Sequence, residues 1–268
     1  MIKKFFLTII SLMLVQNIAG ANTIKFVQVA DSHYIAKNEY RTKVLQDAIS
    51  DINNEKDIAF VVFTGDNIDS PKEEYLPDFV KTINKLKVPY YLVIGNHDVF
   101  KNNGLSKKHY LEIVRENNCF YKFKTPNYVF KKNGFVFIVL DGAKEVIPGS
   151  NGYYKDDTLK WLDKQLTKHQ KEPVVIFQHF PVVTVKEIPS HEVYKKGNYL
   201  DIIDKHENVI SVIAGHLHTN GEIMRNGVYH ITSPTLIGET PQYKIITIVT
   251  TPGFSPMIYT ELKDVQEK

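Results

Sequence analysis

Val88-Pro89-Tyr90-Tyr91-Leu92-Val93-Ile94-Gly95-Asn96-His97-Asp98 decides how the rest of the chain is read, because an apolar run with strand character stops in a tetrapeptide of metal-competent side chains. Asn96 offers a hard, neutral amide oxygen, His97 a proton that can be shared near neutral pH, and Asp98 a carboxylate able to fix an imidazole nitrogen. Alone, Gly-Asn-His-Asp is equally well explained as a polar turn after a strand. Four further clusters of the same kind, each closing an apolar run, weigh against that explanation.

Toward the N-terminus, Ile24 to Ala30 reads as a strand that ends in Asp31-Ser32-His33. Continued strand geometry would put Asp31 and His33 on one face. An amphipathic helix over about 39–53 follows, and the apolar run Ile58 to Thr64 stops at Gly65-Asp66-Asn67-Ile68-Asp69. A second helix over about 73–87 leads back to the quoted stretch. This is βαβαβ with nearly continuous apolar strands, the mark of parallel strands covered on both faces, where ligand groups gather beyond the carboxyl ends.

Toward the C-terminus, a helix over 106–117 precedes two short runs, 127–132 and 134–141, joined through Asn133-Gly134, a hairpin signal that opens a second, mixed sheet. A helix over 156–169 leads to a strand over 173–177 that delivers Gln178-His179. A polar loop over 182–197 and a short helix over 198–206 come next. The strand over 209–214 then delivers Gly215-His216-Leu217-His218. Runs over 227–232, 244–250 and 257–262 alternate as strands and carry no such cluster.

Asp31, His33, Asp66, Asn96, His179, His216 and His218 are all nitrogen or oxygen donors at strand ends. Seven are too many for one tetrahedral ion and suit a pair of ions sharing a carboxylate; imidazole and carboxylate without thiolate fit manganese, iron or zinc. Such a pair lowers the pKa of a bridging water, so that hydroxide can attack phosphorus, and neutralises phosphate charge. His97 is then the candidate proton or hydrogen-bond donor to substrate, and Asp98 the residue that orients it. Asp69 reads either as a hydrogen-bond partner of a ligand histidine or as a turn carboxylate. His109, His169 and His206 read as exposed and His230 as packed. His191 reads as a loop residue, with an approach to substrate the lesser alternative.

The ordered blocks Asp31-Ser32-His33, Gly65-Asp66-Asn67-Ile68-Asp69, Gly95-Asn96-His97-Asp98, His179 and Gly215-His216-Leu217-His218 resemble the calcineurin-like metallophosphoesterase superfamily. The resemblance implies a four-layer αββα sandwich of two mixed sheets. It also implies one ion on Asp31, His33 and His218, a second on Asn96, His179 and His216, and Asp66 bridging the two. Gln178 stands where many relatives carry another histidine. The compact layout resembles bacterial cyclic-nucleotide phosphodiesterase-like members. The expected activity is therefore two-metal hydrolysis of a small or exposed phosphoester, with phosphodiesters favoured. A phosphomonoesterase or nucleotidase for phosphate scavenging is the first alternative, and a non-catalytic metal or phosphate binder the second.

Composition limits the remaining classes. Lys plus Arg number 33 against 30 Asp plus Glu, which gives no electrostatic case for a nucleic-acid surface, and Lys107-Lys108, Lys131-Lys132 and Lys195-Lys196 read as solvated pairs. Residues 1–21 carry Lys3 and Lys4, an apolar stretch from Phe5 to Val15, and Ala19-Gly20-Ala21, the pattern of a cleaved export signal and too short for a membrane anchor. Cleavage near Ala21 would leave one metallophosphoesterase domain over 22–268, exported to the periplasm or medium, with formal charge reduced from +3 to +1. Cys119, the only cysteine, excludes an intramolecular disulfide and thiolate metal cages and reads as a packed small hydrophobe.

Overall fold

The computed structural model describes residues 20–266; residues 1–19, which hold most of the expected export signal, lie outside the described residues. Among the described residues, no helix is long and apolar enough to cross a membrane. In chain order the elements are β1 (Asn22–Val29), α1 (Glu39–Ile52), β2 (Val61–Thr64), α2 (Tyr75–Ile83), β3 (Tyr90–Val93), α3 (Lys107–Asn117), β4 (Tyr128–Lys132) and β5 (Phe135–Val139). They continue with α4 (Asp156–Lys168), β6 (Val174–Phe177), α5 (Lys196–Ile203), β7 (Val209–Ala214), β8 (Gly221–Arg225), β9 (Val228–Thr232), β10 (Gln242–Thr250) and β11 (Met257–Asp264).

Two mixed sheets result, ordered β11-β10-β1-β2-β3 and β4-β5-β6-β7-β9-β8. Strands β1, β2 and β3 run parallel, with β10 antiparallel between β1 and β11; β5, β6, β7 and β9 run parallel, with antiparallel β4 and β8 at the edges of the second sheet. The two-residue period of a strand divides each apolar run between two layers. Ile24, Phe26, Phe60, Val62, Phe137, Val175 and Phe177 face the space between the sheets, while Val27, Val29, Val61, Phe63, Val136 and Ile176 join the helix residues outside. The inner layer is aromatic: Phe26 stacks on Phe60 at 4.8 Å and Phe137 on Phe177 at 5.5 Å, and Phe60 meets Phe137 edge-on at 5.0 Å. Leu45, Phe79 and Leu111 of α1, α2 and α3, and Leu162 and Tyr199 of α4 and α5, supply the outer cover. The expected four-layer αββα sandwich is the observed one.

Helix ends follow local chemistry. Asn38 caps α1 by accepting from Arg41 N, and Ser106 caps α3 by accepting from His109 N. Pro77 lies in the first turn of α2, where its missing N–H costs nothing.

One polar residue of β1 is placed against its surroundings. Gln28 is fully buried and donates to Thr64 Oγ1 (3.1 Å) in its own sheet and to Ala214 O (2.8 Å) at the end of β7 in the other. A buried donor so satisfied locks the sheets together directly beneath their carboxyl ends.

Several sequence expectations are corrected. Strand β8 was not anticipated; it is an edge strand whose Glu222 and Arg225 hide the alternation, joined to β9 through a second Asn-Gly turn at Asn226-Gly227. Cys119 is exposed rather than packed. His169 is buried, held by Glu172 Oε2 at 2.7 Å. Lys107 is no solvated lysine, since its ammonium lies against the buried carboxylate of Asp141 and the carbonyl of Ala143.

Candidate metal centre

The two sheets contribute unequal shares of one cleft. Asp31 and His33 follow β1, Asp66 follows β2 and Asn96 follows β3; His179 follows β6, and His216 and His218 follow β7. All seven expected donors converge. His33 Nε2 lies 3.2 Å from His218 Nε2, which lies 3.5 Å from Asp31 Oδ1. His179 Nε2 lies 3.1 Å from Asn96 Oδ1, 3.1 Å from His216 Nδ1 and 3.3 Å from Asp66 Oδ2. Asp66 Oδ2 is also 3.9 Å from His33 Nε2, so this one oxygen faces both groups.

Two observations test whether these residues fit cations. Bonds of about 2.0–2.2 Å to nitrogen and oxygen imply donor-to-donor edges of roughly 3.0–3.5 Å, the spacing within each group. Asp31 and Asp66 are buried, and every ion pair they make among the described residues is with a histidine, not a lysine or arginine. Buried charge needs a counter-charge, and cations supply it. Without them a proton takes that place. Burial opposes a charged His179, but the Asp66 and Asp31 carboxylates prevail and raise it to about 9. Burial likewise opposes a charged Asp66, yet His179, His97 and His33 hold it below the usual carboxylate range. Burial and the neighbouring His179 push His216 down to about 2.

The donors are aimed by bonds at their far sides. His179 Nδ1–H donates to Thr64 O (2.9 Å), leaving Nε2 for the cleft. Asp31 accepts from His216 N (2.9 Å), and Asp66 Oδ1 accepts from His97 N (2.9 Å), which leaves Asp66 Oδ2 facing the imidazoles of the cleft. Asp31 and His33 do not continue the strand as expected. They and Asp66, His216 and His218 have φ between 39° and 73°, so five of the seven donors hold a left-handed backbone costing about 1–3 kcal/mol each. The tight turns require absent side chains beside them: a Cβ at Gly95 would collide with the Asp66 carboxylate, and one at Gly65 with the His179 ring.

His97 borders the same cleft of about 200 Å³, with its ring 4.8 Å from that of His33. Its Nδ1–H donates to the backbone carbonyl of Asp69 (2.7 Å). Asp69 thus serves through its main chain, while its carboxylate approaches His33 Nδ1 only to 3.9 Å. Asp98 is where the sequence reading fails, because it does not orient His97. Its fully buried carboxylate accepts from Gly95 N (2.7 Å), Asn67 N (2.8 Å), Ile68 N (3.0 Å) and Asn67 Nδ2 (3.0 Å). It clamps the loop after β3 to the loop after β2. Burial and the charge of Asp66 push it up to about 7, against the pull of the Gly95 and Ile68 amides. Sequence reasoning also missed Gln28, although a glutamine in register with Phe26 inside an apolar run was a visible signal.

Residues 24–220 match the family model of calcineurin-like phosphoesterases, and the chain belongs to that family. It is a metal-dependent phosphoesterase. The chain is 29% identical over 219 residues to the "Probable glycerophosphodiester phosphodiesterase GpdQ" of Arcobacter nitrofigilis, covering 77% of this chain and 76% of that protein. It is 24% identical over 223 residues to a 3′,5′-cyclic-nucleotide phosphodiesterase of Nostoc sp., covering 79% and 78%. Among solved structures, a dimetal phosphatase from Danio rerio superposes with a TM-score of 0.65 at 20% identity over 89% of this chain and 99% of that one, a likeness of fold.

Proposed function

We propose that the protein hydrolyses phosphodiesters with two metal ions, manganese, iron or zinc, one on Asp31, His33 and His218 and the other on Asn96, His179 and His216, with Asp66 shared. The observation that carries this reading is the position of Asp66 Oδ2 between His33 and His179. When bound, the ions supply Lewis acidity toward the phosphoryl group and a nucleophile at neutral pH. Asp31 and Asp66 set the charge of the cleft, and the Thr64 carbonyl fixes the His179 tautomer. His97, with Nδ1–H committed to Asp69 O, turns Nε2 to the substrate, and as imidazolium it donates a proton to the leaving oxygen. The preference for diesters draws on the named activities of the relatives. Export through residues 1–21 is part of the same proposal and rests on their sequence pattern; the N-terminal sequence of the mature protein tests it.

The test is to load the purified protein separately with manganese, zinc and iron and to compare a bis-aryl with a mono-aryl phosphate. Faster diester turnover is expected with at least one metal, and faster monoester turnover would reverse the preference. In His97→Ala, turnover is expected to fall by about 10²-fold or more while metal content holds; equal loss of both would make His97 structural. Chelation is expected to lower the unfolding midpoint, because ions at a hundredfold excess over Kd stabilise the native state by about 2.7 kcal/mol. Calorimetry with and without chelator measures it.

A further inference from the structure

The 182–197 loop contributes a wall that no part of the mechanism yet uses. Within it, Pro189–His191 form a 3-10 turn tied to the 150–152 segment. Ser150 Oγ donates to Ser190 O (2.5 Å), Asn151 Nδ2 to Glu192 O (3.2 Å), and Gly152 N to Glu192 O (3.2 Å). Ser190 Oγ holds His191 Nδ1 at 2.8 Å, and the His191 ring lies 5.0 Å from that of His216. His97 therefore stands beside His33 and the first donor group, and His191 beside His216 and the second. A non-ligand imidazole stands at each end of the cleft.

Behind His191 lies a second cavity of about 230 Å³. Ile188, His191 and Leu217 line both cavities, and Val182, Val183 and Leu200 carry the second one onward. The first cavity is walled by donors and suits a phosphoryl group; the second is mainly apolar. Its charged residues are two lysines and two glutamates, with Lys196 paired to Glu187 at 3.6 Å, so its walls carry no net charge. A neutral, compact, apolar or aromatic group matches that lining.

We propose that this second cavity seats the ester arm that stays on phosphorus, with His191 hydrogen-bonding the phosphoryl oxygens at the junction, so that the enzyme selects phosphodiesters bearing a compact apolar or aromatic arm. This rests on the phosphodiesterase reading above, in which the leaving oxygen faces His97 at the other end. A monoester has no second arm and gains nothing from the cavity.

The experiment uses the full protein loaded with manganese, bis(4-nitrophenyl) phosphate and 4-nitrophenyl phosphate as substrates, and the variants Val183→Trp, which fills the second cavity from a residue that does not line the first, His191→Ala and His191→Gln. In Val183→Trp the ratio of kcat/KM for diester over monoester is expected to fall about tenfold, chiefly through the diester KM. In His191→Ala kcat/KM for the diester is expected to fall roughly tenfold or more, the value of a hydrogen bond to a charged group, with partial recovery in His191→Gln and unchanged metal content. An unchanged ratio in Val183→Trp, or loss of metal in His191→Ala, would overturn the assignment while leaving the phosphoesterase reading intact. Failure of the wild-type protein to cleave either ester would overturn both.

Discussion

Asp66→Asn is expected to abolish catalysis in practice, lowering turnover by roughly 10⁴-fold or more. Asp66 Oδ2 lies within 4 Å of a cleft-facing imidazole nitrogen of each group, 3.3 Å from His179 Nε2 and 3.9 Å from His33 Nε2. Its other oxygen is already held by His97 N. An amide there removes a negative charge from a buried cleft and leaves a neutral donor where two cations would share a carboxylate. Loss of about 5.4 kcal/mol of transition-state stabilisation corresponds to a 10⁴-fold factor. The measurement is steady-state turnover of a diester at saturating metal, beside a thermal melt that checks the fold. Turnover within tenfold of wild type would remove Asp66 from the centre of the mechanism.

The second large effect is on stability. Asp98→Ala is expected to destabilise the protein by about 3–9 kcal/mol, since it strands the backbone N–H groups of Gly95, Asn67 and Ile68 at roughly 1–3 kcal/mol for each buried donor, while Asn67 Nδ2 keeps Val93 O and Tyr110 Oη. Against a typical total of about 5–15 kcal/mol, such a loss brings the variant close to unfolding. Denaturant unfolding of wild type and variant measures it. The alternative, in which Asp98 acts through His97, requires the opposite pattern: a midpoint shifted by less than about 1 kcal/mol with a large fall in turnover.

Asp98 also shows where sequence reading reaches its limit. Adjacency to His97 suggested that the carboxylate serves the imidazole, but the turn after β3 sends it back to Gly95 N and across to Asn67 and Ile68. No periodicity encodes that reversal. The seven donors were legible because each closes an apolar run, and the ends of parallel strands share one edge of a sheet. The sandwich was legible for a related reason, since a run such as Phe135 to Val139, apolar at every position, must be covered on both faces. Strand β8 was hidden by its polar edge residues, yet Asn226-Gly227 repeats the left-handed pair of Asn133-Gly134 that located the first hairpin. Lys107 and His169 looked like surface residues because their partners, Asp141 and Glu172, reach them only in the folded chain or across a turn. Gln28 is the reverse case, a polar residue in an inward register whose partners come from both sheets.

The most direct test is a crystal structure of the manganese-loaded protein with anomalous scattering recorded at the metal edge. Two peaks about 3.5–4 Å apart are expected, on either side of Asp66 Oδ2, one within bonding distance of His33 and His218 and the other of His179 and His216. A single peak, or a pair that leaves Asp66 unbound, would contradict the two-ion centre.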